Sequence, residues 1–204
     1  SDNRIENFVI AQFNTDPAFA LYGLGTTAGS NTEIYYKRLT TAAANDLDDG
    51  DWTETANNTT AAAFNRNLFV YYPRTGYIYA AGNNNIFRYD PDGTDAFSGT
   101  HQALTFTHIG QGIVHSKDDI LYIPYFNNAG PTAAIARNNP GAGTPWNNTA
   151  LTLPTHYIPT SICEYGNFLA IGCAHRDGVS NSRVYLWDRN SSLSTVHESI
   201  DWGT

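Results

Sequence analysis

Apolar and polar positions follow one order along the chain, and that order recurs four times. Each repeat has an apolar strand, a tight turn, a second apolar strand, a polar loop and a third strand with a charge near its end. The third strands show the recurrence most clearly: EIYYKRL at Glu33–Leu39, NIFRYD at Asn85–Asp90, AAIAR at Ala133–Arg137 and RVYLWD at Arg183–Asp188. Corresponding positions lie about fifty residues apart, and a period of this length with about four strands predicts the blades of a β-propeller.

The second strand of each repeat is expected to begin directly after a hairpin turn. The residues at these starts are Phe19, Tyr77, Ile120 and Phe168. Many strands are apolar at consecutive positions, which predicts sheets that are covered on both faces, as blades between neighbouring blades are. We therefore predict an all-β fold, a single β-propeller domain or a part of a larger propeller. Its antiparallel blades are expected at about residues 6–57, 65–109, 110–156 and 157–204.

Two local features carry predictions of their own. Pro124 interrupts the apolar run ILYIPYF and is expected at a bulge or at the end of a strand, because proline cannot donate to a sheet. The turn Gly166-Asn167 sets Cys163 opposite Ala170, so that Cys163 and Cys173 lie on opposite faces of the hairpin. We therefore expect both thiols to be reduced and mostly buried.

Charge and hydropathy exclude several classes of partner. The formal net charge is −8 with only 11 lysines and arginines, so there is no basic stripe for a nucleic acid. No run of eighteen apolar residues predicts a transmembrane helix. No cofactor motif is found, and no cofactor is expected. The chain opens on SDNRIENF and stops at IDWGT, and we expect it to be a processed product or a portion of a longer protein.

Two segments carry a resemblance to known families. IFRYDPDG and VYLWDRN resemble the passage from third strand to turn in Kelch-like and WD-like propellers, although the Gly-Gly and Gly-His doublets of those repeats are missing. The Asn/Gly-rich loops and the ending HESIDWG are similar to propeller modules in structural proteins of tailed phages and environmental viruses. This resemblance implies a structural or adhesive module of a virion or extracellular assembly, with other protein subunits as partners.

Acidic residues in two polar stretches are candidate calcium ligands. Carboxylate oxygens are the ligands that Ca²⁺ prefers, but neither stretch keeps the spacing of a known calcium loop. The alternative is a solvated turn, which Asp-Pro-Asp-Gly favours. The candidates are Asp46, Asp48 and Asp49 in the first stretch and Asp90, Asp92 and Asp95 in the second.

Aromatic residues near loops are the remaining candidates for a ligand site. Aromatic faces with asparagine nearby suit sugar rings, although such residues also pack between blades. The candidates are Trp52, Trp146, Tyr36 and Tyr72. None of the six histidines has the spacing of a zinc site, and no nucleophile motif is found.

Two functions follow from this sequence. The first, which we favour at this stage, is a non-enzymatic module that makes protein or glycan contacts. The alternative is a secreted propeller enzyme that acts on glycans as a hydrolase or lyase. The carboxylate pair of a glycosidase can lie far apart in sequence, so the pattern alone does not decide between them.

Overall fold

The computed structural model describes residues 4–12, 19–26, 32–38, 53–54, 64–91, 101–190 and 198–202. These residues form seventeen strands in four antiparallel sheets, joined by turns and bends. The described part of the chain has no apolar helix that could span a membrane. The chain divides into two compact units, Ser1–Ala103 and Leu104–Thr204.

The first unit contains two four-stranded sheets, in each of which the strands pair in chain order. One sheet consists of β1 (Arg4–Gln12), β2 (Phe19–Thr26), β3 (Thr32–Arg38) and β4 (Thr53–Glu54), and the other of β5 (Phe64–Tyr72), β6 (Tyr77–Gly82), β7 (Asn85–Tyr89) and β8 (Gln102–Ala103). Their apolar faces share one core, in which the rings of Tyr22 and Tyr89 lie 5.9 Å apart.

The second unit contains the third and fourth sheets. The third consists of β9 (His108–Ile109), β10 (Ile113–His115), β11 (Ile120–Asn127), β12 (Thr132–Asn138) and β13 (Trp146–Leu153), and the fourth of β14 (Tyr157–Tyr165), β15 (Phe168–His175), β16 (Ser182–Trp187) and β17 (Glu198–Trp202). Their common core includes a perpendicular contact between the rings of Tyr122 and Trp187, 5.7 Å apart.

The predicted starts of the second strands are confirmed in all four sheets. Phe19, Tyr77, Ile120 and Phe168 are the first residues of β2, β6, β11 and β15. The turn before β15 uses Gly166 at a φ of 60°, a left-handed conformation that suits glycine because it has no Cβ.

Pro124 lies inside β11, where it pairs with Ile135, so of the two expected positions, a bulge or a strand end, it does not take the strand end. The irregularity lies on the neighbouring strand, which is divided into β9 and β10 opposite Pro124. Proline has no backbone N–H to donate. The interruption of the neighbouring strand opposite Pro124 therefore leaves no N–H of this residue without an acceptor. At this gap the N–H of Gly110 donates to the Pro124 carbonyl at 2.9 Å. A Cβ on Gly110 would stand 2.5 Å from the carbonyl oxygen of Thr160, so only glycine fits.

The two cysteines are free, and Cys163 pairs with Ala170 in the predicted register. Cys173 is buried, and burial raises the pKa of its thiol to about 12. Cys163 is exposed, so the prediction that it is buried is wrong. The reason is that β14 is an edge strand whose residues after Pro159 are exposed or only half-buried.

Candidate functional site

An open cleft of about 370 Å³ lies in the second unit, at the end of the fourth sheet where β14 begins and β15 ends. Its lining residues are Tyr157, His175, Ser180, Asn181 and Arg183. Tyr157 and His175 stand opposite each other in the pairing of β14 with β15, and Arg183 belongs to β16. Three strands and one loop therefore contribute to the same wall.

The loop between β15 and β16 is folded around the carboxylate of Asp177. Its Oδ1 accepts the backbone N–H groups of Val179 at 2.9 Å and Ser180 at 2.8 Å, and the Ser180 hydroxyl donates to Oδ2. Gly178 takes a φ of 70° inside this turn. The hydrogen bonds from Ser180, followed by that from Val179, hold the pKa of Asp177 well below its ordinary value. Asp177 is therefore a fixed anion beside the cleft.

The same carboxylate orients the ring of His175. Nδ1 of His175 lies 2.7 Å from Oδ1 of Asp177. The backbone N–H of Asp177 approaches that nitrogen at 3.4 Å, which is the longer and weaker contact. Both contacts hold Nδ1 of His175 next to Asp177. Tyr157 packs perpendicular to the His175 ring at 5.3 Å, and His156 lies at the same distance.

Arg183 and two tyrosines form the inner part of the cleft. The guanidinium carbon of Arg183 lies 5.3 Å from the centre of the Tyr157 ring and 6.0 Å from that of Tyr185, which is within range of a cation–π interaction. Burial raises the pKa of the Tyr185 hydroxyl, so this group stays protonated at neutral pH. In the pairing of β16 with β17, Asp201 stands opposite Arg183.

A second charged cluster lies at the opposite end of the same strands, and we call it the bracket. Nδ1 of His115 lies 3.0 Å from Oδ1 of Asp118, and Nη1 of Arg189 lies 3.0 Å from Nε2 of His115. Nε of Arg189 contacts Oδ2 of Asp118 at 2.9 Å, and Nη1 donates to the carbonyl of Asn167 at 2.7 Å. The bracket therefore ties the β10–β11 turn to the fourth sheet.

Glu164 adds a second link at this end. Its carboxylate accepts the Ser116 hydroxyl at 2.7 Å and the Ser116 backbone N–H, and Lys117 donates to the side chain of Asn167 nearby. Tyr122 donates to Asp118 at 3.2 Å, and burial followed by the Asp118 charge raises the pKa of that tyrosine. Each of these polar groups has a partner within the cluster, which indicates a structural role.

Of the aromatic candidates from the sequence, the two whose side chains the structure describes, Tyr72 and Trp146, do not line the cleft. Tyr72 is fully buried, with its ring 6.1 Å from that of Tyr79, and Trp146 is half-buried at the start of β13. Tyr36 lies in β3, but its side chain is outside the described residues, as is all of Trp52. As ligand-binding residues these four remain predictions.

The calcium candidates are mostly outside the described residues. Asp90 directly follows β7 and is half-buried. The other five, namely Asp46, Asp48, Asp49, Asp92 and Asp95, lie in undescribed segments. Within the described ranges, no three histidine, cysteine or acidic side chains come together as metal ligands. The calcium site remains a prediction.

The sequence analysis missed the residues that line the cleft. A usable signal was present, because His175-Arg176-Asp177-Gly178 places a histidine, two charges and a turn glycine at a strand end. The site is hard to predict because a bulge between Pro159 and Ser161 shifts the register by one residue. Tyr157 therefore pairs with His175, whereas an unbroken register would pair it with Arg176.

Comparison with solved structures gives the fold. An exo-β-1,3-galactanase from Phanerochaete chrysosporium, solved with β-1,3-galactotriose, is similar to 95% of this chain with a TM-score of 0.52 and 11% sequence identity. The match covers 49% of the galactanase, so this chain spans about half its length. A GH43 glycoside hydrolase engineered for endo-xylanase and exo-arabinofuranosidase activity matches 98% of this chain and 43% of its own, with 11% identity and a TM-score of 0.48. By sequence, no protein-family model and no curated protein matches.

These comparisons confirm the β-propeller fold, because glycoside hydrolases of the GH43 type have a five-bladed β-propeller. They do not support the Kelch-like, WD-like or viral style of blade, and partner subunits are not shown. The prediction of a non-enzymatic structural or adhesive module is wrong, since the neighbours are glycoside hydrolases. The association with a virion is not supported by the comparisons, and the localisation stays a prediction. The error has a physical reason: the strand pattern specifies blades, whereas activity depends on sites at their ends.

Proposed function

We propose that the protein acts on glycans as an enzyme that cleaves glycosidic bonds, and that the cleft holds the sugar. The observation that carries the proposal is the cleft, in which three strands and an ordered loop bring aromatic, hydroxyl, amide, imidazole and guanidinium groups to one wall. The fold of a galactanase solved with its oligosaccharide supports the proposal. An extracellular place of action remains part of the proposal.

The size and chemistry of the cleft suit a short stretch of sugar. Clefts that bind small molecules have volumes of about 300–1,000 Å³, and this one measures about 370 Å³. A sugar ring offers several hydroxyl groups, each of which donates and accepts. Ser180 and Asn181 can do both, whereas Arg183 only donates. This combination fits hydroxyl groups better than an apolar ligand.

Charge also favours a glycan over a nucleic acid. The chain has a net charge of −8, which would repel a phosphate backbone in the absence of a basic stripe. Near the cleft the charges are mixed, because Asp177 is an anion and Arg183 a cation within one short loop and strand. A ligand with hydroxyl groups is compatible with both.

The proposal is tested by incubating the protein with oligosaccharides of β-1,3-galactose, xylose and arabinose and separating the products by chromatography. We expect at least one to be cleaved. Asn181→Ala should raise its KM about five-fold, which corresponds to the loss of one hydrogen bond of about 1 kcal/mol. Asn190→Ala, an exposed asparagine beyond the other end of β16, is the matched control and should change nothing. Failure to cleave or bind any of the three overturns the proposal.

A further inference from the structure

The two sheets of the second unit differ in how many of their faces are covered. In the third sheet, the consecutive residues Ala133–Ala136 of β12 are all fully buried, so that strand is covered on both faces. In the fourth sheet, burial alternates along β15: Leu169 and Ile171 are fully buried, whereas Ala170 and Gly172 are only half-buried. One face of the fourth sheet therefore packs into the core, and the other face does not.

The second face is formed by the residues that alternate with the buried ones, and we call it the open face. The strand register places Cys163, Ala170 and Leu186 beside one another across it. Cys163 is exposed, and Tyr165, two residues further along β14, is 64% exposed. The side chains of the open face are those of Cys163, Tyr165, Ala170, Ala174, Val184 and Leu186.

The composition of the open face does not suit contact with water. An antiparallel sheet that is solvated on one face normally carries polar side chains there, and the last repeat of a stacked array needs a polar outer face. On the two central strands, the open face has only small or apolar residues from Ala170 to Ala174 and from Val184 to Leu186. The run FLAIGCA of β15 is apolar towards both faces, which is typical of a strand that is covered on both.

We propose that the open face is an interaction surface and that its partner is a further antiparallel blade of the same propeller, supplied by a segment outside these 204 residues. The described residues form four sheets, whereas glycoside hydrolases of the GH43 type have five blades. In a closed propeller every blade is covered by a neighbour on each face.

The open face also indicates what the partner presents. Packed sheets lie about 10 Å apart, and side chains from both fill the space between them. Ala170 and Ala174 are small, so the facing sheet has to contribute the larger apolar side chains at the centre of this contact. Val184 and Leu186 add apolar area beside them. The proposal does not depend on the glycan that the cleft binds.

Cys163 reports on the open face, and Cys173, buried in the core on the other side of the sheet, is its matched control. In the 204-residue protein, the thiol reagent DTNB should modify Cys163 and leave Cys173 unmodified under native conditions. In the full-length product of the gene, the modification of Cys163 should be at least about ten-fold slower, because the reagent then has to wait for the blade to move away. Mass spectrometry of the peptide that contains Cys163 follows the reaction. Equal rates in the two proteins, or a gene that encodes no further blade, would overturn the proposal.

Leu169 and Leu186 form a second matched pair, because they lie on opposite faces of the fourth sheet. In the 204-residue protein, Leu169→Asp should abolish cooperative thermal unfolding, whereas Leu186→Asp should lower Tm by less than about 4 °C. In the full-length product, Leu186→Asp should lower Tm by at least about 8 °C, since its charge is then buried under the partner blade. Circular dichroism measures both transitions. The same small shift in both proteins would contradict a covered face.

A second copy of the chain is the alternative partner, and light scattering after size-exclusion chromatography distinguishes it. The isolated 204 residues should associate without a fixed stoichiometry, and Leu186→Asp should reduce this association. A dimer of fixed stoichiometry in which DTNB does not reach Cys163 would identify a second copy as the partner and overturn the proposal of a further blade.

Discussion

The second unit contains two histidine–aspartate pairs at opposite ends of its strands, and they differ in what surrounds the ring. In the bracket, His115 is fully buried and both its nitrogens are engaged, one by Asp118 and the other by Arg189, each at 3.0 Å. At the cleft, His175 is 20% exposed, and among the described residues only its Nδ1 has a polar contact. The first pair has no atom left for a ligand, whereas the second has one.

This difference shows that a histidine beside an aspartate does not by itself indicate chemistry. A hydrogen-bonded network around a buried ring makes the structure rigid, and removing the ring takes one hydrogen-bond partner from each neighbour. A partly exposed ring that lines a cleft is accessible to a ligand. The number of engaged nitrogens therefore separates the two roles.

The largest expected effect is on stability at the bracket. His115→Ala should lower the free energy of unfolding by about 3 kcal/mol, because it leaves Asp118 and Arg189 without their shared partner. His175→Ala, which empties a partly exposed position, should cost less than about 1 kcal/mol. Urea unfolding followed by circular dichroism measures both. Equal losses would mean that the two pairs do not differ as described.

The second largest effect tests the close approach of the two sheets of the second unit at Gly110, away from the bracket. Gly110→Ala should lower the free energy of unfolding by about 2 kcal/mol, since the new Cβ would meet the Thr160 carbonyl oxygen. Gly143→Ala is the control, because no atom lies within 4 Å of its added Cβ. Its change should stay within about 0.5 kcal/mol, and a similar loss in both variants would contradict the close approach.

A smaller effect concerns the carboxylate that supports the bracket. Burial acts to raise the pKa of Glu164, but the hydrogen bonds from Ser116 and the charge of Arg189 outweigh it, so the pKa lies below its ordinary value of 4.5. A carboxyl group whose pKa is lower in the folded than in the unfolded protein stabilises the fold at pH values above the unfolded pKa. This stabilisation is lost as the pH falls through the folded pKa. Glu164→Gln should therefore cost less than about 1 kcal/mol at neutral pH and nothing in strong acid. Urea unfolding of the wild type and of Glu164→Gln at neutral pH and in strong acid measures this cost. A cost that is the same at both pH values would contradict the lowered pKa of Glu164.

The smallest effect compares the serine–carboxylate pairs at the two ends. Ser180→Ala should raise the pKa of Asp177, because that serine supplies its largest stabilising hydrogen bonds. Ser116→Ala should raise the pKa of Glu164, although its backbone N–H remains. Titration of the side-chain carboxyl carbons by ¹³C NMR follows both residues. If Asp177 titrates unchanged, the loop is not ordered by Ser180.

The local sequence pattern was sufficient to predict the strands but not to predict the residues that line the cleft. The starts of the second strands follow from a turn next to an apolar run, which is information carried by a few neighbouring residues. The pairing of Tyr157 with His175 depends on a bulge between Pro159 and Ser161, five to seven residues before Gly166 of the hairpin turn, and no residue type indicates it. The register near the turn, including Cys163 opposite Ala170, was correct because the bulge lies beyond it.

The bracket shows a second limit of prediction from the sequence. Its contact between His115 and Arg189 joins residues 74 positions apart, which only the packing of two sheets brings together. The preference for exposed aromatics as ligand groups also selected Tyr72, which the structure encloses in the core of the first unit. A sequence pattern gives the period of the blades, whereas the side chains that meet at their ends depend on distant contacts.

The most direct test of glycan binding at the cleft is an NMR titration of the ¹⁵N-labelled protein with the products of an oligosaccharide that it cleaves, which stay intact during the measurement. We expect shifts in the backbone amides of Ser180 and Asn181, and none in those of Ser116 and Asn167 at the bracket. Shifts centred on the bracket, or no shifts at saturating sugar, would contradict the assignment of the glycan to the cleft.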